Sequence, residues 1–206
     1  MLTAVYYRTN LTFRQAALLF GISKSAANRV VDHLAPLLAL LPVARKHSLD
    51  TVLIVDGTLV PTYDRTMSAS GKNYRYSVNM QVVIDAGTRL VVAIGEPTPG
   101  NRNDCRAYTD SGVDQQRRGA KVMADGGYQG NAEVIMPYRT PRKGQPPLPQ
   151  RKEDLNTVHK SVRARVEHTL AHMKSWNILR NCRRTRDGVR HATHGIAFMR
   201  NLTMTA

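Results

Sequence analysis

The sequence predicts an α/β protein in which helices flank a mixed sheet of five strands, with a small all-α region before the sheet. Near residue 50 the hydrophobic spacing changes from a helical to a strand period. Three strand-like segments then follow one another, and later ones alternate with helices, which is typical of a mixed α/β sheet. The 206 residues, 42% of them hydrophobic, suffice for one domain and a small appendage.

Residues 1 to about 42 are predicted to be helical, within an N-terminal region that extends to residue 45. Thr12 and Gln15 form a capping-box pair at the start of one helix, and Ser23 can cap a second helix, Lys24 to about His33. Small and apolar residues recur where two such helices would pack across a tight turn: Ala17, Gly21, Ile22, Ala27 and Val30. This spacing matches a helix-turn-helix, and an ordinary helical hairpin is the alternative.

The second helix would present side chains that can contact DNA phosphates or base edges: Lys24, Ser25, Asn28 and Arg29. The charge of the chain supports this interpretation, since 30 Lys and Arg against 15 Asp and Glu give a net charge of +15. Such a surface favours polyanions, with nucleic acid as the first candidate. The charge alone would also fit a ribosomal or membrane-surface protein.

Strand periodicity begins with Thr51–Val55, which ends at Asp56. The next two strands predicted are Tyr74–Ile84 and Leu90–Ile94, and with the first they form an antiparallel meander. A loop over 95–103 leads to a helix that begins near Asp104. The fourth and fifth strands predicted are Lys121–Ala124 and a segment that begins at Val134.

The last third of the chain is predicted to contain a loop and two helices. Residues 139–153 are basic and rich in proline, which fits either a solvated linker or a loop ordered along DNA. The longest helix is predicted over Leu155–Trp176, with the apolar stripe Val162, Val166, Leu170 and Met173. Arg163, Glu167 and Lys174 share one face of this helix. An amphipathic helix around Val189–Met199 closes the chain.

The two cysteines, Cys105 and Cys182, have neither zinc-site spacing nor a disulfide pattern, so reduced thiols are expected. No apolar run reaches the roughly 18 residues that a membrane-spanning helix needs. The N-terminus also lacks the cationic and apolar segments of a signal peptide. We therefore expect a cytoplasmic protein without a membrane partner.

Three acidic residues stand out in this basic chain. Asp56 and Asp125 each end an apolar run and precede glycine, and Glu167 lies inside a basic helix. Two aspartates at the ends of neighbouring strands with a helical glutamate form a set of oxygen ligands that can hold Mg²⁺ for phosphoryl chemistry on nucleic acid. Each also has a plainer interpretation. An Asp-Gly pair is often a turn, and Glu167 can pair with Arg163 on a solvated face.

Several longer motifs resemble those of the DDE-class transposases of bacterial insertion sequences, the group with a ribonuclease-H-like catalytic core. They are Ile54–Thr58, Asn79–Gln81, Pro99–Asp104, Ala124–Gly130 and Val162–His168, in addition to helix-turn-helix residues 11–34. The last motif of the family is Tyr-x2-Arg-x3-Glu-x6-Lys. Here Arg163, Glu167 and Lys174 fit, whereas Lys160 holds the place of the tyrosine.

The resemblance implies a ribonuclease-H-like catalytic domain over residues 50–206, after the helix-turn-helix region 1–45. It implies that Asp56, Asp125 and Glu167 are catalytic and hold two Mg²⁺ ions, for which Mn²⁺ can substitute. Arg163 and Lys174 would contact DNA. Asp104 is either a further acidic residue near the site or the N-cap of its helix, and we expect the N-cap.

The implied activity is metal-dependent cleavage of DNA strands at the ends of an insertion sequence, followed by strand transfer. The implied partners are double-stranded DNA, as terminal repeats and target, and a second copy of the chain in a homodimer or larger assembly. The protein would be associated with the bacterial nucleoid. Two alternatives remain at this point: a catalytically inactive or truncated DNA-binding relative, and a stand-alone nuclease on the same fold.

Overall fold

A computed structural model describes residues 1–39, 50–71, 75–117 and 119–205. Within these ranges the helices are α1 (Leu2–Thr9), α2 (Phe13–Phe20), α3 (Lys24–Ala39), α4 (Asp104–Asp110), α5 (Gln150–Lys174) and α6 (Gly188–Thr205). The strands are β1 (Val52–Pro61), β2 (Ala69–Ser70), β3 (Tyr76–Asp85), β4 (Val91–Ile94), β5 (Thr98–Pro99), β6 (Lys121–Met123) and β7 (Val134–Ile135). The predicted boundary between 45 and 50, the strand start at Tyr74 and the final residue 206 lie outside the described residues.

The strands form one mixed sheet. β3 pairs antiparallel with β1 and with β4, whereas β6 pairs parallel with β1 and with β7. The five predicted strands therefore lie in the order β4-β3-β1-β6-β7, which confirms the predicted mixed sheet and its ribonuclease-H-like architecture. The two-residue strands β2 and β5 were not predicted, and both add short pairs to β3.

The prediction that the first strand ends at Asp56 is wrong. β1 continues to Pro61 because β3 pairs with it from Leu53 to Pro61. Its parallel partner β6 is much shorter and pairs only with Val52–Ile54. Asp56 therefore lies inside a strand, just beyond the point where the parallel neighbour stops.

The N-terminal helices have the predicted helix-turn-helix connection. The capping box of Thr12 and Gln15 is present, and the Ser23 hydroxyl accepts a hydrogen bond from the Ala26 amide (3.1 Å). Gly21 takes the left-handed conformation (φ 63°) that ends α2. Ile22, predicted to pack between the helices, is instead 38% exposed.

Helix α3 is longer than predicted, since it continues past His33 to Ala39. The added turns bury Ala35. This burial stabilises turns that the local sequence pattern alone did not predict.

Two hydrophobic clusters cover the two faces of the sheet. One contains Leu53, Val55 and Val83 together with Tyr108 and Tyr128. The other contains the alternate positions of the strands, and it joins all three N-terminal helices to the sheet, α5 and α6. Among its members are Tyr7, Ala17, Val31, Ile54, Met80, Val166 and Ile196.

Helix α5 begins at Gln150, immediately after Pro149, so residues 150–153 are helical rather than part of the predicted loop. Proline is well tolerated at a helix N-terminus because the first amides have no partner within the helix. The helix ends at Lys174, slightly before the predicted Trp176. The closing helix α6 is confirmed. Across the described ranges, no helix combines the length and apolar character needed to cross a membrane.

Candidate active site

Asp56 and Asp125 come to the same edge of the sheet through the parallel pairing of β1 and β6. The last paired residues are Ile54 and Met123, and each aspartate follows its paired residue by two positions. Asp56 remains in β1, while Asp125 caps a short 3₁₀ turn, Gly126–Tyr128. Because parallel strands run in register, the two carboxylates project from neighbouring positions at the edge where β6 ends.

The side chain of Arg163, from α5, links the three predicted acidic residues. Its Nη1 lies 3.6 Å from Oδ2 of Asp56 and 3.9 Å from Oδ2 of Asp125. Its Nη2 donates a hydrogen bond to Oε1 of Glu167, one helical turn along α5. The structure thus brings Asp56, Asp125 and Glu167 together around one guanidinium group.

Backbone amides fix the orientation of both aspartates. Oδ1 of Asp56 accepts a hydrogen bond from the Gly57 amide (2.9 Å), and Oδ1 of Asp125 accepts one from the Gly127 amide (2.8 Å). In each case the other oxygen, Oδ2, faces Arg163. Each carboxylate therefore directs one oxygen to the same position, which the guanidinium group of Arg163 occupies.

The positive charge near Asp56 does not fully compensate for the burial of its carboxylate and for the negative charges beside it. Burial raises its pKa to about 6, because the charged form loses hydration. Arg163 lowers this pKa, while Asp125 and, more weakly, Asp104 raise it. One guanidinium group does not offset the burial and the neighbouring carboxylates, so the site favours additional positive charge.

Lys174 lies near the same group of charged side chains. It is half-buried, and burial lowers its pKa, with a further lowering by Arg180. Asp56 raises the pKa of Lys174, which places this lysine within electrostatic reach of the carboxylate. Lys160, in the place of the motif's tyrosine, is exposed.

The donor set of Asp56 and Asp125 suits a hard divalent cation in its chemistry. Among the described residues, no group of three or more His, Cys, Asp or Glu side chains is positioned to hold a metal ion. The carboxylate oxygens of Asp56 and Asp125 flank one position, and Arg163 lies there. Oxygen ligands on rigid backbone supports are the kind that Mg²⁺ and Mn²⁺ bind, so Asp56 and Asp125 fit such an ion.

The prediction that Asp104 caps its helix is wrong, and Asp104 lies near the site, as the alternative interpretation had it. The N-cap of α4 is Asn103, whose Oδ1 accepts a hydrogen bond from the Arg106 amide (3.0 Å). Asp104 is the first residue of the helix, and its Oδ1 accepts hydrogen bonds from Asn79 (2.9 Å) and Gln81 (3.3 Å). The adjacent residues Asn103 and Asp104 could have indicated this from the sequence. Only one of the two can cap the helix, which leaves the other available for a different role.

A groove of about 840 Å³ opens beside Asp104. It is lined in part by Gly57, Gly100 and Gly127. Arg75 and Arg102 also line it. The groove therefore combines space for a bulky substrate with positive charge, next to the carboxylates.

The predicted DNA-contact residues of α3 lie together at the start of that helix. Lys24, Ser25 and Arg29 are exposed, and with Asn28 and Phe13 they line one surface depression. Asn28 is half-buried, and both the nitrogen and the oxygen of its side chain form hydrogen bonds. Its amide donates to Oδ2 of Asp32 (2.7 Å), and its Oδ1 accepts from Nη1 of Arg184 (3.0 Å).

Comparison with known proteins gives matches along both parts of the chain. The family model described as "Transposase DDE domain" matches residues 47–202, and the one described as "Helix-turn-helix of DDE superfamily endonuclease" matches residues 1–43. A protein named as the transposase of insertion sequence element IS112 from Streptomyces albus G is 58% identical over 205 residues, which cover 100% of this chain and 79% of that protein.

A protein named as the transposase of insertion sequence element IS702 from Microchaete diplosiphon is 29% identical over 200 residues, covering 88% of this chain and 70% of that protein. Among solved structures, a chain of a pre-cleavage Mos1 transpososome aligns with a TM-score of 0.35 and 12% identity. That alignment covers 98% of this chain and 75% of the other.

Proposed function

The chain belongs to the DDE superfamily of insertion-sequence transposases, and we propose that it cleaves DNA at the ends of its element and transfers the freed strands to target DNA. The observation that carries this proposal is the meeting of Asp56, Asp125 and Glu167 around Arg163. In a chain with net charge +15, three carboxylates grouped together would otherwise only weaken the binding of a polyanion.

Members of this superfamily use divalent metal ions. We propose that Asp56, Asp125 and Glu167 hold two Mg²⁺ ions, with Mn²⁺ able to substitute. Such ions activate an attacking oxygen, stabilise a leaving oxygen and neutralise the phosphate charge. The raised pKa of Asp56 supports this assignment. One guanidinium group does not balance the negative charge around this carboxylate, and divalent cations would supply the missing positive charge.

Arg163 and Lys174 have a different role in this proposal. Arg163 is half-buried and bridges the carboxylates of Asp56 and Asp125. Arginine remains protonated throughout the physiological range, so Arg163 stabilises charge and does not transfer protons. With Lys174, it would contact DNA phosphates or bases beside the reacting strand.

We assign recognition of the element ends to residues 1–45 and chemistry to residues 50–206. Lys24, Ser25 and Arg29 are exposed at the start of α3, the second helix of the helix-turn-helix, and Asn28 lies beside them. In this motif the second helix reads the major groove. The partners would be double-stranded terminal repeats, target DNA and at least one further copy of the chain.

No observation favours the inactive DNA-binding alternative. A protein that only bound DNA would gain nothing from three carboxylates facing a polyanion. The helix-turn-helix, in turn, favours recognition of specific ends over a general stand-alone nuclease.

The test is cleavage of labelled DNA that carries the terminal repeats flanking the element, with Mg²⁺ or Mn²⁺. The wild-type chain should nick at the repeat ends only with a divalent cation, and Asp125→Asn should abolish the nicks. Asp110→Asn is the control, since Asp110 is a partly exposed carboxylate on α4 that pairs with Arg102 and Arg106. Tight binding of the repeats by the wild-type chain without nicking would reject the proposed activity and indicate a DNA-binding protein.

A further inference from the structure

Asp104 is held by a buried chain of hydrogen bonds that the proposed chemistry has not yet used. The hydroxyl of Tyr128 donates to Oε1 of Gln81 (2.5 Å), and Nε2 of Gln81 donates to Oδ1 of Asn79 (2.9 Å). Asn79 and Gln81 both donate to Oδ1 of Asp104. Tyr128 and Gln81 are fully buried and Asn79 nearly so, so this carboxylate has a fixed position.

That position lies between the backbone segments that carry Asp56 and Asp125. A Cβ atom built on Gly57, next to Asp56, would lie 2.2 Å from Oδ1 of Asp104. One built on Gly127 would lie 3.7 Å from Oδ2 of Asp104 and 2.9 Å from Oδ1 of Asp125. The Asp104 carboxylate therefore spans the gap between the two segments, and glycine on both sides makes room for it.

The hydrogen bonds of this network compensate its polar side chains, but they do not neutralise the charge of Asp104. Polar side chains in the interior lose hydration, and their hydrogen bonds recover about what they lose. Here the network fixes a carboxylate between the segments that carry two others. Bringing a third carboxylate close to two like charges is unfavourable without a cation.

We propose that Asp104 is a fourth carboxylate of the active site, a positioning residue that strengthens divalent-cation binding by Asp56 and Asp125. This inference rests on the proposed function, because it concerns the same cation. Asp104 would act through its charge and its fixed orientation beside the ligands, as outer carboxylates do at metal sites. The network from Tyr128 through Gln81 would set that orientation.

The test is titration of Mn²⁺ into the full-length chain without DNA, followed by electron paramagnetic resonance of the free ion. Asp104→Asn should weaken Mn²⁺ binding by about 10–100-fold, the range found when outer-shell partners of metal ligands are removed. The asparagine keeps an Oδ1 acceptor for Asn79 and Gln81, so the change is mainly in charge. Asp110→Asn removes a carboxylate from the same helix away from the network and should bind Mn²⁺ like the wild type.

Tyr128→Phe removes only the hydroxyl that donates to Gln81, and it should weaken Mn²⁺ binding by a smaller factor than Asp104→Asn. Circular dichroism checks that each variant is folded. If Asp104→Asn does not fold, Tyr128→Phe decides, and wild-type affinity in that variant would overturn the inference.

Asp56→Asn separates this inference from the proposed function. If Asp56→Asn abolishes Mn²⁺ binding while Asp104→Asn leaves it unchanged, the role of Asp104 is rejected and the proposed function stands. If the wild-type chain binds no Mn²⁺ that depends on Asp56, the metal assignment itself fails, and the role of Asp104 falls with it.

Discussion

The buried carboxylate of Asp56 lowers the stability of the folded chain, and the same carboxylate is a ligand in the proposed metal site. This carboxylate is mostly buried in a strand, and Arg163 is the cation nearest to it among the described ion pairs. The apolar run before Asp56 and the glycine after it identified this residue from the sequence. The sequence left two interpretations of Asp104 open, because asparagine and aspartate at adjacent positions are equally good caps and only the fold shows which one faces inward.

The raised pKa of Asp56 predicts a pH-dependent cost in stability. Since burial raises this pKa from 3.8 to about 6, the folded state favours the protonated form. The stabilising contribution of the protonated Asp56 side chain is fully present below pH 3.8 and is lost as the pH rises through about 6. Without divalent cations, Asp56→Asn should therefore gain stability over the wild type between pH 4 and pH 7.5, by up to about 3 kcal/mol.

Urea unfolding of both proteins across this pH range, with a chelator present, measures the gain. The difference between the two proteins at pH 4 is the internal control, because Asp56 is then largely protonated in the folded state. A gap that stays constant from pH 4 to pH 7.5, or that moves in favour of the wild type, would contradict the raised pKa.

Among the secondary-structure elements, α5 connects the sheet carboxylates to the rest of the site. Val166 and Met173 bury one face of this helix in the core, which brings Arg163 to Asp56 and Asp125. Sequence spacing predicted that Arg163 and Glu167 share a face. It could not show that this face meets the sheet, because a periodic pattern identifies an apolar stripe and not the element that covers it.

Arg163→Gln should separate cation binding from catalysis. The guanidinium group lies between Oδ2 of Asp56 and Oδ2 of Asp125, where it competes with a divalent cation. Its removal should raise the affinity for Mn²⁺ several-fold while lowering DNA cleavage, because a contact to the substrate is lost. Lys121→Gln, an exposed change at the opposite end of β6 from Asp125, is the control for both assays. Weaker Mn²⁺ binding in Arg163→Gln would contradict the competition.

Helix α3 carries the proposed DNA contacts, and a salt titration tests them. Lys24→Ala and Arg29→Ala should each weaken DNA binding and reduce the slope of log affinity against log salt by about 1, as expected for loss of one phosphate contact. Lys121→Ala removes an exposed charge at the opposite end of β6 from Asp125 and should leave the slope unchanged. Equal slopes in all four proteins would place the DNA elsewhere.

At the scale of the whole molecule, the N-terminal helices are part of the main core. Val31 of α3 belongs to the same hydrophobic cluster as Ile54 of β1 and Ile196 of α6. Asn10, which ends α1, donates a hydrogen bond from its side chain to the carbonyl of Asn181 (2.8 Å). The sequence predicted the separate patterns of helices and sheet. It did not predict this shared core, because local periodicity contains no information on contacts between distant segments.

The shared core predicts that the chain unfolds as one cooperative unit. Val31→Ala creates a cavity at a fully buried position and should lower the free energy of unfolding by about 1–3 kcal/mol, without splitting the transition. Val158→Ala, at a position 60% exposed, is the matched control and should change it by less than about 0.5 kcal/mol. Two transitions, with only the first moved by Val31→Ala, would show that the helices unfold independently of the sheet.

The central claim is that Asp56, Asp125 and Glu167 form a divalent-cation site at the position where Arg163 bridges the two aspartates. The most direct measurement is anomalous X-ray scattering from crystals of the protein grown with Mn²⁺. The claim predicts an anomalous peak in contact with the carboxylates of Asp56 and Asp125, with Arg163 displaced from between them. A fully ordered site with no peak, and with Arg163 still bridging the two aspartates at saturating Mn²⁺, would contradict it.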